Sequence, residues 1–183
     1  GGDRLAPPAD RTAGDEVQAL TRDARTALDI VLALARTEQW SIGVGIGGVR
    51  APLPSATRAA TGDALVAARE AVQAAKRRPT RVALAAGRAT RPAAESLQAV
   101  LDLLLQLRDR RSPEGWELYD LVETGLTQAE AAERLGITPQ AASKRAIAAG
   151  IRLDAAARDG IVELLALADG TDAGAPLRTE DNA

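Results

Sequence analysis

Residues 126–150, LTQAEAAERLGITPQAASKRAIAAG, constrain the fold more than any other stretch, because each punctuating residue has a narrow structural use. Thr127 and Glu130 stand at the spacing of a capping box, in which hydroxyl and carboxylate each satisfy a backbone donor at a helix start. Ala131, Ala132 and Leu135 give that helix one apolar side. Gly136 then supplies a sharp turn with positive φ, and Ile137 plugs it. Thr138 caps a second helix whose first position is Pro139, where a missing N–H costs nothing. In that second helix Ala142, Ala146 and Ile147 are predicted to face inward, leaving Gln140, Ala141, Ser143 and Lys144 outside. This is the order of a helix-turn-helix, predicted over residues 127–150. Small and hydrogen-bonding side chains near the start of its second helix suit the major groove of double-stranded DNA, where base edges are read. An ordinary helical hairpin whose turn needs glycine is the simpler alternative.

Local charge favours the DNA reading. From Ile137 to Leu153 there are three cations, Lys144, Arg145 and Arg152, and no acid, although the whole chain carries a formal charge of −2. The electrostatic part of DNA binding depends on where cations cluster, so overall acidity does not exclude it. Thr138, Gln140, Ala141, Ser143, Lys144, Arg145 and Arg152 are the expected DNA-contacting residues, with Gln140, Ser143 and Lys144 on base edges and Arg145 and Arg152 on phosphates. So modest a charge argues for a homodimer or a second contact surface. A second basic surface is available: six cations and no acid lie between Glu70 and Glu95. Lys76, Arg77, Arg78 and Arg81 are its auxiliary phosphate-contact candidates, set against the plainer reading that cations favour a helix C-terminus.

Composition narrows the chemistry. There is no His and no Cys, which excludes structural zinc sites, Ser-His-Asp triads and Cys-His nucleophiles within these residues. With aromatic residues at 2% and no Phe, the core must be built from Leu, Val, Ile and Ala, which favours close helix packing. No apolar run approaches the length of a membrane span and no secretory pattern is present, so no membrane partner and a cytoplasmic location are expected. With no Met, the sequence as given carries no initiator residue.

The N-terminal half alternates strand-like and helix-like segments. Gly14-Asp15 is the tip of a predicted hairpin flanked by residues 11–13 and 16–20. A helix capped by Thr21 or Asp23 runs to about Gln39, with Ala27, Leu28, Ile30, Val31, Leu34 and Ala35 buried. Residues 40–49 read as a glycine-loaded strand. Residues 63–78 read as a helix with Leu65, Ala68, Val72 and Ala75 inward, and 81–85 as a further strand. Gly43, Gly45 and Gly48 match G-x-G-x-x-G, but the run continues into Pro52 and Pro54 instead of a helix, so it is not a dinucleotide site. Glycines inside a strand more often admit a neighbouring backbone or a ligand. The pattern predicts helices over a mostly antiparallel sheet.

AGDE at 13–16, IGVGIGG at 42–48 and GDALVAAREAV at 62–72, followed by the helix-turn-helix, resemble the SatD-like family of bacterial proteins. The first half is also similar to a reduced class III nucleotidyl cyclase core and, more distantly, to GGDEF domains. The resemblance implies an α+β fold: a ferredoxin-like, cyclase-like α/β sandwich followed by an all-helical helix-turn-helix domain. It implies DNA binding and transcriptional regulation, with a cyclase-like platform or sensor domain. In the cyclases the hairpin Gly-Asp supplies a metal-binding aspartate, matched by Asp15, beside Glu16; the purine-selecting position four residues earlier matches Arg11. A vestigial site for Mg²⁺ with a nucleotide is therefore implied, and a nucleotide-binding sensor or weak metal-dependent cyclase is the alternative function. Catalysis is not expected. The second metal-binding aspartate of the cyclases has no counterpart here and would have to come from a strand upstream of Gly1. Val66 also stands where a hydrogen-bonding side chain is needed, and the spacing to Arg69 is one residue short.

The expected domains are residues 1–90, α/β; 91–170, helical; and 171–183, a polar, disordered tail. Within the second, Pro92 starts a long helix carrying Leu97, Val100, Leu101, Leu104 and Leu105. Ser112-Pro113-Glu114 starts another, and residues 154–167 form the last, with Ile161, Val162, Leu164 and Leu165 apolar.

Overall fold

A computed structural model describes residues 9–11, 16–87 and 91–170, without the side chains of 91–93. The expected hairpin tip with Asp15 and the expected tail lie outside the described residues. The elements run β1 (Asp10–Arg11), β2 (Val17–Gln18), α1 (Ala24–Ala35), β3 (Ile42–Ile46), α2 (Asp63–Ala75), β4 (Val82–Ala86), α3 (Arg91–Asp109), α4 (Pro113–Glu123), α5 (Gln128–Arg134), α6 (Pro139–Ala148) and α7 (Ile151–Ala168). The architecture is broadly α+β, mixed helix with two small sheets. Among the described residues no helix is long and apolar enough to cross a membrane.

The described residues form two compact units, one up to Leu101 and again from Gly160, the other Asp102–Asp159. The division between these units falls inside α3 and α7.

In the first unit β1 pairs antiparallel with β2, Asp10 opposite Gln18 and Arg11 opposite Val17. β3 and β4 pair parallel, Ile42 opposite Val82 through Ile46 opposite Ala86. This corrects the expected mostly antiparallel sheet: the chain leaves β3, crosses through α2 and returns beside it, and such a crossover yields parallel neighbours. Glycine makes the crossover tight. A Cβ on Gly43 would lie 2.3 Å from the Val72 amide nitrogen, and one on Gly45 2.0 Å from the Ala64 carbonyl oxygen. Backbone of α2 fills the space above the glycines, which leaves no room there for a ligand. The helix answers with its own small residues. Its buried row is Ala64, Ala67, Ala71 and Ala75, whereas Leu65, Ala68 and Val72 are only half-buried. The buried face is thus rotated from the predicted stripe, because close backbone approach selects alanine over larger apolar side chains.

On the other side of the β3–β4 pair, Val44 and Leu84 face Leu28 and Val31 of α1, Leu97 and Leu101 of α3 and Ile161 and Leu165 of α7. They enclose an apolar void of about 10 Å³, room for a water molecule at most. Asp23 caps α1 by accepting from the Thr26 amide at 3.0 Å, and α1 ends at Ala35, short of Gln39; Leu32 belongs to its buried face. Gln98 of α3 satisfies backbone groups of β4, accepting from the Leu84 amide at 2.7 Å and donating to the Val82 carbonyl at 3.3 Å. Its buried amide does what another strand would do.

In the second unit Leu118 and Tyr119 of α4 pack with Ala131, Ala146, Ala149 and Ile151, bordered by Trp116, Leu121, Val122 and Leu135. Ser112 caps α4 through the Gly115 amide at 3.2 Å, as its sequence predicts. The last helix begins at Ile151, one turn earlier than expected, so Asp154 lies inside it rather than at its start.

Candidate nucleic-acid interface

α5 and α6 are joined by a turn whose hydrogen bonds follow from the residues that punctuate it. The Thr127 amide donates to Glu130 Oε2 at 2.8 Å, and the Glu130 amide donates to Thr127 Oγ1 at 3.3 Å. The Thr127 amide, and then its hydroxyl, hold the Glu130 carboxyl below its ordinary pKa. At the far end of α5, Gly136 adopts φ 65°, the Ile137 amide donates to the Ala132 carbonyl at 3.0 Å and the Gly136 amide to that of Glu133 at 3.1 Å. These are the two bonds of a Schellman motif. Thr138 Oγ1 then accepts from the Ala141 amide at 3.2 Å and Pro139 opens α6.

α6 is seated by alanine. Ala142, Ala146 and Ala149 are buried, and Ala131 and Ala132 of α5 are buried as well. Gln140, Ala141, Ser143 and Lys144 are exposed, as are Thr138 and Arg152. Ile147 corrects the prediction: instead of facing inward it is 77% exposed. The inner row runs 142, 146, 149, and a residue one beyond Ala146 is turned about 100° away from it. Arg145 points elsewhere than Lys144. Its side chain is 25% exposed and lies 3.8 Å from Glu117 Oε2, with an Nη1 donor 3.5 Å from the Glu114 carbonyl.

Beneath this surface lies a charged cluster that sequence reasoning missed. Asp154 is 0% exposed. Arg108 donates to both its oxygens, at 3.0 and 2.9 Å, and Arg111 to Oδ2 at 2.9 Å. Arg111 also donates to the Ala149 carbonyl at 2.9 Å, which ties the C-terminal end of α6 to the cluster. The guanidinium carbons of Arg108 and Arg111 lie 4.3–5.0 Å from the ring centroids of Trp116 and Tyr119, themselves edge to face at 5.3 Å. Burial pushes the Tyr119 phenol above its ordinary pKa, and its oxygen accepts from Arg108 at 3.2 Å and Arg158 at 2.8 Å. Arg158 extends the network to Glu123 on α4.

The sequence does hold a signal for this cluster. Leu97, Leu101, Leu104, Arg108 and Arg111 follow one another at alternating spacings of four and three, and so do Asp154, Arg158, Ile161, Leu165 and Ala168. The charges occupy the rows that the apolar residues define: Arg108 and Arg111 continue the row of α3, and Asp154 and Arg158 begin that of α7.

The remaining predicted residues belong to the other unit. Lys76 and Arg77 are exposed just after α2, and Arg78 is half-buried. Arg81, at φ 53°, donates to the Trp40 carbonyl at 3.3 Å and the Ser41 hydroxyl at 2.7 Å, so its guanidinium is engaged at the entry to β3. Arg11 and Glu16 are exposed beside the hairpin. Asp10 pairs with Arg58 at 3.5 Å. Val66 and Arg69 are exposed on α2. Among the described residues no group of three or more acidic residues is placed to hold a metal ion. Comparison of the chain with protein families, curated proteins and solved structures finds no match.

Proposed function

We propose that this chain is a DNA-binding protein, a transcriptional regulator that lays α6 of a helix-turn-helix in the major groove. The observation that carries the reading is the outer face of α6. Gln140, Ser143 and Lys144 are exposed together over its first turns while the opposite side is buried as alanine. Such a helix offers hydrogen-bonding groups to base edges without bulky side chains to keep it out of the groove. The absence of any acid from Ile137 to Leu153 and the resemblance to SatD-like proteins support the same reading. The first unit serves in this proposal as a cyclase-like platform. Two copies acting on one duplex make up for the modest charge of each α6.

The test is a mobility shift on genomic duplex fragments at low salt. Retardation is expected, and Arg152→Ala, at an exposed residue assigned to a phosphate, should weaken it on every duplex and flatten its dependence on salt; removing one phosphate-neutralising cation lowers the logarithmic slope by about 0.9. No retardation of any fragment at low salt sinks the proposal.

A further inference from the structure

Gln140, Lys144 and Ile147 stand four and three residues apart on α6, which places them in one row directly opposite the buried Ala142, Ala146 and Ala149. The first two members of that row suit hydrogen bonding to bases. The third is a β-branched hydrocarbon, 77% exposed and the most exposed large apolar side chain among the described residues. A single exposed apolar residue is ordinary on a protein surface. This one differs by position, because it continues the row that the proposed function turns toward base edges.

We propose that Ile147 is a specificity-determining residue that reads the 5-methyl group of a thymine. The inference rests on the DNA-binding reading and deepens it. In the major groove every base edge but one offers hydrogen-bond donors or acceptors alone, and the thymine methyl is the apolar group available to a side chain that can make none. The chemistry of Ile147 therefore selects its occupant. Any other edge would have to surrender water to a side chain that returns no hydrogen bond. α6 contains no acid, so nothing along it repels the phosphates that flank such a contact. Seven residues of helix span about 10 Å, so the thymine lies about two to three base pairs from the base that Gln140 faces. A thymine-bearing half-site with a defined spacing follows.

The experiment uses the full chain and a duplex selected from a random pool by its binding. Each thymine of the selected site is replaced in turn by uracil, which pairs identically but lacks the methyl group. One replacement is expected to weaken binding about fourfold, the contribution of one buried methyl. In Ile147→Ala the same replacement should cost nothing. The exposure of Ile147 means that this variant should fold, which a circular-dichroism melt checks.

If the protein selects and binds a site but no thymine replacement weakens it, Ile147 does not read a methyl, and the DNA-binding reading survives. The inference fails in the same way if Ile147→Ala keeps the full uracil penalty. A change of oligomeric state in Ile147→Ala, with its uracil response unaltered, assigns the side chain to a protein contact and also overturns the inference. Failure to bind any duplex at low salt removes the DNA-binding reading itself, and this inference with it.

Discussion

The two units draw on the same alanine-rich composition and are held together by different means. In the first, α2 lies so near β3 that backbone occupies the place of a glycine side chain, and cohesion comes from close apolar approach. In the second, alanines seat α6 in the same economical way, but the centre is charged: Asp154 lies between Arg108 and Arg111, beside Trp116 and Tyr119. Those two rings are drawn from a chain with two Trp, one Tyr and no Phe. Alanine contacts bring backbones together but are weakly directional; hydrogen-bonded charges and edge-to-face rings fix angles as well as distances. The directional contacts are concentrated in the unit that carries the proposed reading helix, where a small error of placement matters most.

The contrast between the units breaks most severely at Asp154. Asp154→Ala leaves two buried guanidinium groups without their carboxylate and should cost about 3–5 kcal/mol, read by chemical denaturation. Amide exchange should then rise throughout α4–α6 while β3 and β4 keep their protection. Equal loss in both units would show that the cluster stabilises the whole chain and not the second unit alone. Replacing Arg108, Arg111 and Asp154 together by apolar residues of similar volume should be far milder, because no charge is stranded.

Gly45→Ala is the matching test in the first unit. The new Cβ would meet the Ala64 carbonyl, a backbone atom that cannot turn aside, so the helix must lift from the sheet at a cost of about 3 kcal/mol. Exchange should rise in α2, β3 and β4 and stay low in α5 and α6. Gly48→Ala, where a Cβ meets nothing within 4 Å, is the control and should melt near the parent temperature.

The sequence carries different parts of this arrangement with different clarity. The caps at Thr127, Thr138 and Ser112 and the turn at Gly136 are readable because each rests on local hydrogen bonds that a few residues determine. The inner face of α2 and the direction of Ile147 differ from expectation for one shared reason. Apolar size points the larger residues inward, whereas in both helices alanine holds the buried row and the larger side chain is displaced outward. The charged cluster is hard to see because Arg and Asp are seldom buried, and only their positions in the heptad-like rows betray them. The parallel pairing of β3 and β4 depends on which strand returns beside which, a nonlocal choice that periodicity does not encode.

A smaller effect sharpens the contrast within the second unit. Thr127→Ala removes the capping hydroxyl of α5 and should cost about 1 kcal/mol, with the loss confined to exchange in that helix. The same site gives a pH dependence. The folded-state pKa of Glu130 is lowered, so its contribution is present above the ordinary glutamate range and is lost as pH falls through the lowered folded value. Acid should therefore fray α5, and Thr127→Ala should make that response shallower, as followed by the α5 amides in an NMR titration.

The least disruptive change bears on what α6 does rather than on how it is held. Arg145 is shared between α6 and α4: its guanidinium lies 3.8 Å from Glu117, whose side chain is 61% exposed. An ion pair that open to solvent contributes about 0–1 kcal/mol, so Glu117→Gln should leave the melting temperature almost unchanged. If Arg145 meets a phosphate when α6 enters the groove, Glu117 competes with DNA for it. Glu117→Gln should then raise duplex affinity by up to about fivefold at low salt. Removing any acid near DNA helps binding a little, and Glu133→Gln, on the exposed side of α5, measures that general effect. A gain at Glu117 well above the gain at Glu133 identifies competition for Arg145. Equal gains with an unchanged melting temperature mean that Arg145 stays on α4 when DNA binds, and that Lys144 and Arg152 supply the charge of the contact.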